Sequence, residues 1–283
     1  GNLFTGKIIK NKLPRIPPWI LTSPNIIFSM EDKQPKSETS SDYYISKYRE
    51  IRESFKDFIP VYTDGSKINN HTASAAIFPD AEYTSRLSDQ ASIYTAELKA
   101  ILLAINHIKG SVNSKYIIFS DSKSSLQALV NKKLEHPLIQ NILEELHSLH
   151  TQKRFITLCW LPSHIGIKGN EKADLAAKRS LHQQINDLSI PYTDLRQSII
   201  LHCNNKWQNI WNQETNNKLH KIYPYISEVN SKNFLPRQEE TLLNRLKIGH
   251  SYLTHGYLLK GESPPKCLAC QETITVEHIL IKC

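Results

Sequence analysis

Two short apolar runs, F-I-P-V-Y-T-D at Phe58–Asp64 and K-Y-I-I-F-S-D at Lys115–Asp121, each end on an acid. Runs this short, rich in β-branched and aromatic residues and bounded by turn signals, read as buried strands rather than helices. Gly65 and Ser66 follow the first acid and signal a turn there. After Asp64 come two further strand-like runs, A-S-A-A-I-F-P and A-E-Y-T-S-R-L, separated by N-N-H-T and P-D. Helical and strand patterns then alternate: a helix around Glu97, the Asp121 strand, a short helix, the long helix of P-L-I-Q-N-I-L-E-E-L-H-S-L-H, the strand F-I-T-L-C-W-L-P, and a helix around Asp174. Three hairpin strands followed by this alternation predict an α/β fold, a mixed five-stranded sheet with helices on its faces. Sites in open sheets form beyond the carboxyl ends of parallel strands, where Asp64 and Asp121 would meet.

Glu97 lies in S-I-Y-T-A-E-L-K-A-I-L-L-A-I-N-H-I, where Ile93, Ala100, Ala104 and Ile108 recur at helical spacing. Its carboxylate therefore shares a stripe predicted to be buried, together with Ile101, and an acid there is costly unless paired or metal-bound. Asp174 completes an ordered set with His164 just ahead of it. Two unit charges about 4 Å apart repel by roughly 4 kcal/mol at an effective dielectric near 20, so converging carboxylates require cations. Oxygen-only ligands suit Mg²⁺ or Mn²⁺, and a pair of such ions can activate water and stabilise the leaving oxygen of a phosphodiester. Each residue alone has a plainer reading. Asp64 before Gly65 suits a turn, Asp121 suits a helix N-cap, and Asp174 can pair with Lys178 one turn on. His164 is one of twelve histidines and by itself suits a surface turn. The joint order is what favours a site.

That order, Y-T-D-G-S, T-A-E-L, F-S-D-S and W-L-P-S-H-I-G-I-K-G-N-E-K-A-D-L-A-A, resembles the ribonuclease H type 1 domain, in the form carried by reverse transcriptases of jockey-type non-LTR retrotransposons. The resemblance covers residues 58 to 182. It implies a ribonuclease H-like fold in which Asp64, Glu97, Asp121 and Asp174 hold two Mg²⁺ or Mn²⁺ ions. His164 would assist proton transfer or product release, with Asn170 and Glu171 in support. It further implies hydrolysis of the RNA strand of RNA–DNA hybrids, nucleic acid as the partner, and an upstream polymerase in the same polyprotein. A catalytically silent nucleic-acid-binding module and a related polynucleotidyl transferase remain the alternatives; strand transfer to a DNA end would mark the latter.

Residues 1–57 read as a proline-studded connection, a polar linker at 30–42 and a lead-in helix from Tyr43. Residues 183–260 read as a helical extension in which Leu195, Ile199, Trp207 and Trp211 are core positions. Residues 261–283 carry Cys267, Cys270, His278 and Cys283 at C-x2-C-x7-H-x4-C, a ligand set for Zn²⁺, and resemble the cysteine-histidine tail of the same retroelement class. Scattered reduced thiols are the alternative for the tail. Cys159 and Cys203 read as buried free thiols, and five cysteines without a secretion signal suit the reducing cytoplasm or nucleus. The net charge of +8 divides as 10 − 7 = +3 before Phe58, 14 − 11 = +3 through residue 182 and 11 − 9 = +2 beyond, so it suits a polyanionic partner without locating a face. Proline breaks every apolar run near the start, which excludes a membrane-spanning helix there. Gly1 at the start and Cys283 at the end read as the edges of a fragment of a longer polyprotein.

Overall fold

The computed structural model describes residues 6–30, 40–227 and 235–283. It divides into two compact units, residues 1–198 and 199–283. In chain order the first unit contains β1 (Ile8–Ile9), β2 (Asn25–Ile27), α1 (Ser41–Ser54), β3 (Ile59–Ile68), β4 (His71–Ile77), β5 (Glu82–Leu87), α2 (Ile93–Gly110), β6 (Lys115–Ser120), α3 (Lys123–Val130), α4 (Pro137–Thr151), β7 (Phe155–Trp160), α5 (Lys168–Ser180) and β8 (Ile190–Pro191). The helix α6 (Tyr192–Trp211) begins in this unit.

The sheet order is β2-β7-β6-β3-β4-β5, with β2, β7, β6 and β3 parallel and β4 antiparallel to both neighbours. The sheet thus has six strands where five were expected. The added edge strand, Asn25–Ile27, pairs with Thr157–Cys159. It is a three-residue segment behind Pro24, too short to carry an alternation that marks a strand, and only its pairing with β7 defines it.

Strand alternation sorts the core into two layers. Tyr116 and Ile118 of β6 join Val61, Leu98, Ile101, Ile105, Leu143 and Leu158 beneath α2, α3 and α4. Ile117 and Phe119 point the other way and join Tyr44, Tyr62, Ala173, Ala176 and Ala177 beneath α1 and α5. Alanines on the inner face of α5 let that helix lie close to β3 and β4, which matters because α5 carries Asp174.

Several sequence expectations change here. Ile93 is 46% exposed, because it is the first residue of α2 and its side chain precedes the buried stripe. The linker reading fails at both ends: Met30 is 1% exposed, and Ser41 and Asp42 already belong to α1, capped by the Ser40 hydroxyl. The part of it between them, 31–39, lies outside the described residues. The compact unit extends past residue 182, since Asp187 pairs with Lys99 at 2.5 Å and the Asp194 carboxylate accepts hydrogen bonds from the amide and hydroxyl of Ser92.

In the second unit α6 continues and is followed by α7 (Lys218–Ile222), α8 (Arg237–Ile248) and α9 (Tyr252–Lys260). Gly249 and Gly261 close α8 and α9 in the left-handed conformation, at φ 77° and 68°. Trp207 is 56% exposed and Ile199 47%, against expectation, whereas Trp211 is half-buried and its indole donates to the Tyr223 carbonyl at 2.8 Å. Cys203 is exposed, contrary to expectation, whereas Cys159 is buried in β7 as its apolar strand predicts.

Candidate active site and metal centre

The β3–β6 register runs in parallel from Ile59 opposite Tyr116 to Thr63 opposite Ser120. Asp64 and Asp121 are the next residue on each strand. The parallel pairing therefore stops where two like charges would face one another. β3 itself does not turn at Gly65 as the Gly-Ser signal suggested; it continues to Ile68, paired only with β4. Gly65 has another reason to be glycine. A Cβ there would lie 2.6 Å from the Glu97 amide nitrogen and 2.8 Å from the Ala96 carbonyl carbon. The missing side chain is what lets the first turns of α2 press against β3 and deliver Glu97 to the strand ends.

One carboxylate oxygen from each of Asp64, Glu97 and Asp121 lies within 4.8 Å of the others. Asp64 is 6% exposed. Burial, followed by repulsion from Asp121 and Asp174, pushes the Asp64 carboxyl up to about 8. Burial and then the charges of Asp64 and Asp121 raise Glu97 well above the usual carboxylate range, with only a backbone hydrogen bond from Gly65 opposing them. Asp121 is raised by burial, and a hydrogen bond from the Asn170 side chain and the nearby His164 counter that. The Glu97 Oε2 and Asn170 Oδ1 atoms are buried without a partner. An all-oxygen group that repels itself, and holds a solvent-free oxygen with nothing to accept from, fits a hard divalent cation.

Asp174 stands apart from the three. Its carboxylate pairs with Lys178 at 2.8 Å, one helical turn on. Its charge still acts on Asp64 and Asp121. Asp121 is not an N-cap: α3 starts at Lys123 behind Ser122, with no side-chain capping bond. His164 sits on the loop between β7 and α5 in the left-handed conformation, φ 53°, and is exposed. Ile165 and Ile167 on its C-terminal side are 5% and 4% exposed. These buried side chains pin the loop and leave the imidazole facing solvent beside Asp121. Glu171 is exposed in the first turn of α5. A residue without a sequence signal also contributes: the Trp160 indole donates to the Asp121 carbonyl at 3.1 Å and fixes the backbone that carries the acid.

In the second unit Cys267, Cys270, His278 and Cys283 offer ligand atoms that all lie within 4.8 Å of one another. Cys267 Sγ is 3.6 Å from Cys283 Sγ, and Cys270 Sγ is 3.5 Å from His278 Nε2. The hairpin that positions the first pair is tight. The Cys267 amide donates to the Glu272 carbonyl at 2.8 Å, the Gln271 amide donates to Cys267 at 2.9 Å, and Gln271 takes φ 62°. The Cys270 amide, then the His278 ring and the Ala269 amide, hold the Cys267 thiol down at about 6, while its hydrogen bond to Cys267 raises Cys283. His278 is 3% exposed and its Nδ1 lies 3.6 Å from Glu272. Thiols and an imidazole gathered in this way, with one thiol already favouring thiolate, suit a soft or borderline cation.

Residues 56–182 match the family model described as RNase H. The chain is also similar to the Pol polyprotein of equine infectious anemia virus, 28% identical over 124 residues, which is 42% of this chain and 10% of that protein. Its similarity to the Gag-Pol polyprotein of bovine immunodeficiency virus is 30% over 122 residues, 43% of this chain and 8% of that one. The chain thus spans about a tenth or less of the length of the curated relatives it matches. The segment that matches, under half of the chain, is similar to the RNase H family and holds the acidic cluster.

Proposed function

We propose that this RNase H domain hydrolyses the RNA strand of RNA–DNA hybrids with two divalent ions, as part of a retrotransposon polyprotein of the non-LTR class that also carries a polymerase. The observation that carries the reading is the three-carboxylate cluster at the strand ends, with its buried and unpartnered Glu97 oxygen. Asp64, Glu97, Asp121 and Asp174 would hold Mg²⁺ or Mn²⁺, which when bound supply Lewis-acid activation of water and stabilisation of the leaving oxygen.

The protein's own groups do the rest. Asn170 and the Trp160 indole hold Asp121 in place, from its carboxylate and its carbonyl respectively. Asp174, paired with Lys178 one turn on, would be the fourth carboxylate to hold the ions. The exposed His164 imidazole accepts a proton at a ring nitrogen and returns it to the departing product. Choice of hybrid over duplex DNA rests on contacts to ribose 2′-hydroxyls and on groove shape, because phosphate contacts do not distinguish the strands.

The tail, in the same reading, holds Zn²⁺ through Cys267, Cys270, His278 and Cys283, in a reducing compartment of the cell. Proton release on titration with Zn²⁺ and a tetrahedral thiolate spectrum with Co²⁺ test this; a Cys270→Ser chain that behaves like the wild type in both removes it.

Cleavage of an end-labelled RNA–DNA hybrid in Mg²⁺ or Mn²⁺, with duplex DNA and duplex RNA beside it and Asp121→Asn as the inactive control, tests the central reading. Hybrid-specific cleavage lost in the variant supports it. Binding without cleavage by the folded wild type supports a silent binding module instead.

A further inference from the structure

On the α1 side of the sheet a pocket of about 430 Å³ opens between α1, the beginning of β3, the end of β4 and the first turn of α5. Its lining has a consistent chemistry. Arg49, Lys168 and Lys172 contribute the cations, Tyr48, Tyr62 and Phe78 the aromatic surface, and no carboxylate lines it. None of the three cations has an ion-pair or hydrogen-bond partner among the described residues. Elsewhere on the described helices Lys47 pairs with Glu50, Lys99 with Asp187, Lys178 with Asp174 and Arg179 with Glu82.

The pocket is built rather than incidental. A Cβ on Gly169 would lie 2.3 Å from the Tyr62 ring, so the first turn of α5 rests directly on that ring. Tyr62 is held from behind by stacking on Phe119, with ring centroids 5.2 Å apart, and by a hydrogen bond between its hydroxyl and that of Tyr48. The distance from the acidic cluster follows from helix geometry. Lys168 and Lys172 lie one turn apart on α5, as do Asn170 and Asp174, and the two pairs are separated by about 200° around the helix. One side of α5 serves the carboxylates, and the other presents positive charge to an aromatic pocket.

We propose that this pocket seats one nucleotide of a single strand that continues beyond the hybrid, its phosphate among Arg49, Lys168 and Lys172 and its base against the aromatic surface. The inference deepens the hybrid-ribonuclease reading and rests on it. Tyr62 and Phe78 are 9% and 6% exposed, so the half-buried Tyr48 ring is the aromatic surface a base would meet; unpaired cations beside such a ring are a combination that binds single strands without sequence preference.

Fluorescence anisotropy on the full chain tests it, using a labelled blunt RNA–DNA hybrid and the same hybrid with single-stranded thymidine extensions at either end. One stacked base contributes about 1–3 kcal/mol, so an extension on the correct side should tighten wild-type binding by roughly tenfold. In Arg49→Gln/Lys168→Gln/Lys172→Gln that gain should collapse toward onefold, and in Lys168→Arg/Lys172→Arg it should persist. Thermal melts of both variants confirm folding, as expected for changes at exposed positions. The proposal is overturned if neither extension tightens wild-type binding, or if the triple variant keeps the gain. Failure of the ribonuclease reading looks different: the blunt hybrid is then neither cleaved nor preferred over duplex DNA, whatever the extensions do.

Discussion

Replacing Gly65 by alanine separates two accounts of the same residue. A turn glycine would be needed for its backbone freedom, yet Gly65 is not among the residues with positive φ and lies inside β3 opposite Ser74. Its role is spatial. The added methyl would approach the Glu97 nitrogen at 2.6 Å, the Ala96 carbonyl carbon at 2.8 Å and the Ala96 Cβ at 2.9 Å. Two of these are backbone atoms of α2, which cannot swing aside as a side-chain tip can. Overpacking of this kind costs about 1–3 kcal/mol. For a domain of this size each kcal/mol lowers the midpoint by about 2–4 °C, so Gly65→Ala should melt roughly 2–12 °C below the wild type. Because the relief must lift α2 from β3, Glu97 retreats with it, and the stabilisation by Mg²⁺ or Mn²⁺ should shrink as well. Differential scanning calorimetry with and without the divalent ion reads both effects. A Gly65→Ala protein with the wild-type midpoint and the full metal-induced shift would refute the close-packing argument.

Other expectations follow from the same structure. Arg86 is 2% exposed and donates to the carbonyls of Thr72 and Leu181 and to the half-exposed Asp89, so Arg86→Ala, which leaves buried carbonyls without a donor, should destabilise by about 1–3 kcal/mol in urea unfolding; a loss within about 0.5 kcal/mol of zero, a surface-site value, would contradict this. Burial pushes the Asp187 carboxyl up, but Lys99 and Ser189 outweigh it and leave it below its ordinary value. Its contribution is therefore complete above the unfolded carboxyl value of about 3.9 and lost as pH falls through the lower folded value. Asp187→Asn should cost about 1–3 kcal/mol at neutral pH, and the gap to wild type should narrow only in acid; a gap constant from pH 7 to pH 2 would count against the pair. Leu98→Ala, which empties a fully buried position beside Glu97, should cost about 2–5 kcal/mol by chemical denaturation, and a smaller loss would mean that α2 settles into the space. Stripping Zn²⁺ with a chelator in excess Mg²⁺ should release the tail, seen as faster amide exchange at Cys267–Cys283; exchange that stays unchanged would count against a metal-held tail.

Much of the sheet was legible because buried strands and amphipathic helices carry their own periodicity. The runs ending at Asp64 and Asp121, the stripe of Ala100, Ala104 and Ile108, and the apolar rows of α4 each state which side must leave water. The order of the acids could be read without coordinates, since each falls at a recognisable point in its element. Residue chemistry and local pattern also brought out the cysteines and histidine of the tail. What they do not encode is distance between elements. Gly65 looked like a turn because a glycine's lack of Cβ has the same letter whether it permits a positive φ or the approach of a helix. Asn25–Ile27 became a strand only because β7 left an edge to pair with. The exposure of Trp207 and Cys203 is likewise a matter of which neighbours exist, and no periodicity reports that. Which carboxylates gather was decided last, by packing: the end of the β3–β6 register and the approach of α2 bring Asp64, Asp121 and Glu97 together, while Asp174, midway along α5, pairs with Lys178. The sequence alone determined the donor chemistry, because charge and ligand type belong to each residue; the tertiary structure decided the convergence, because mutual repulsion and burial exist only once separate elements are pressed into one place.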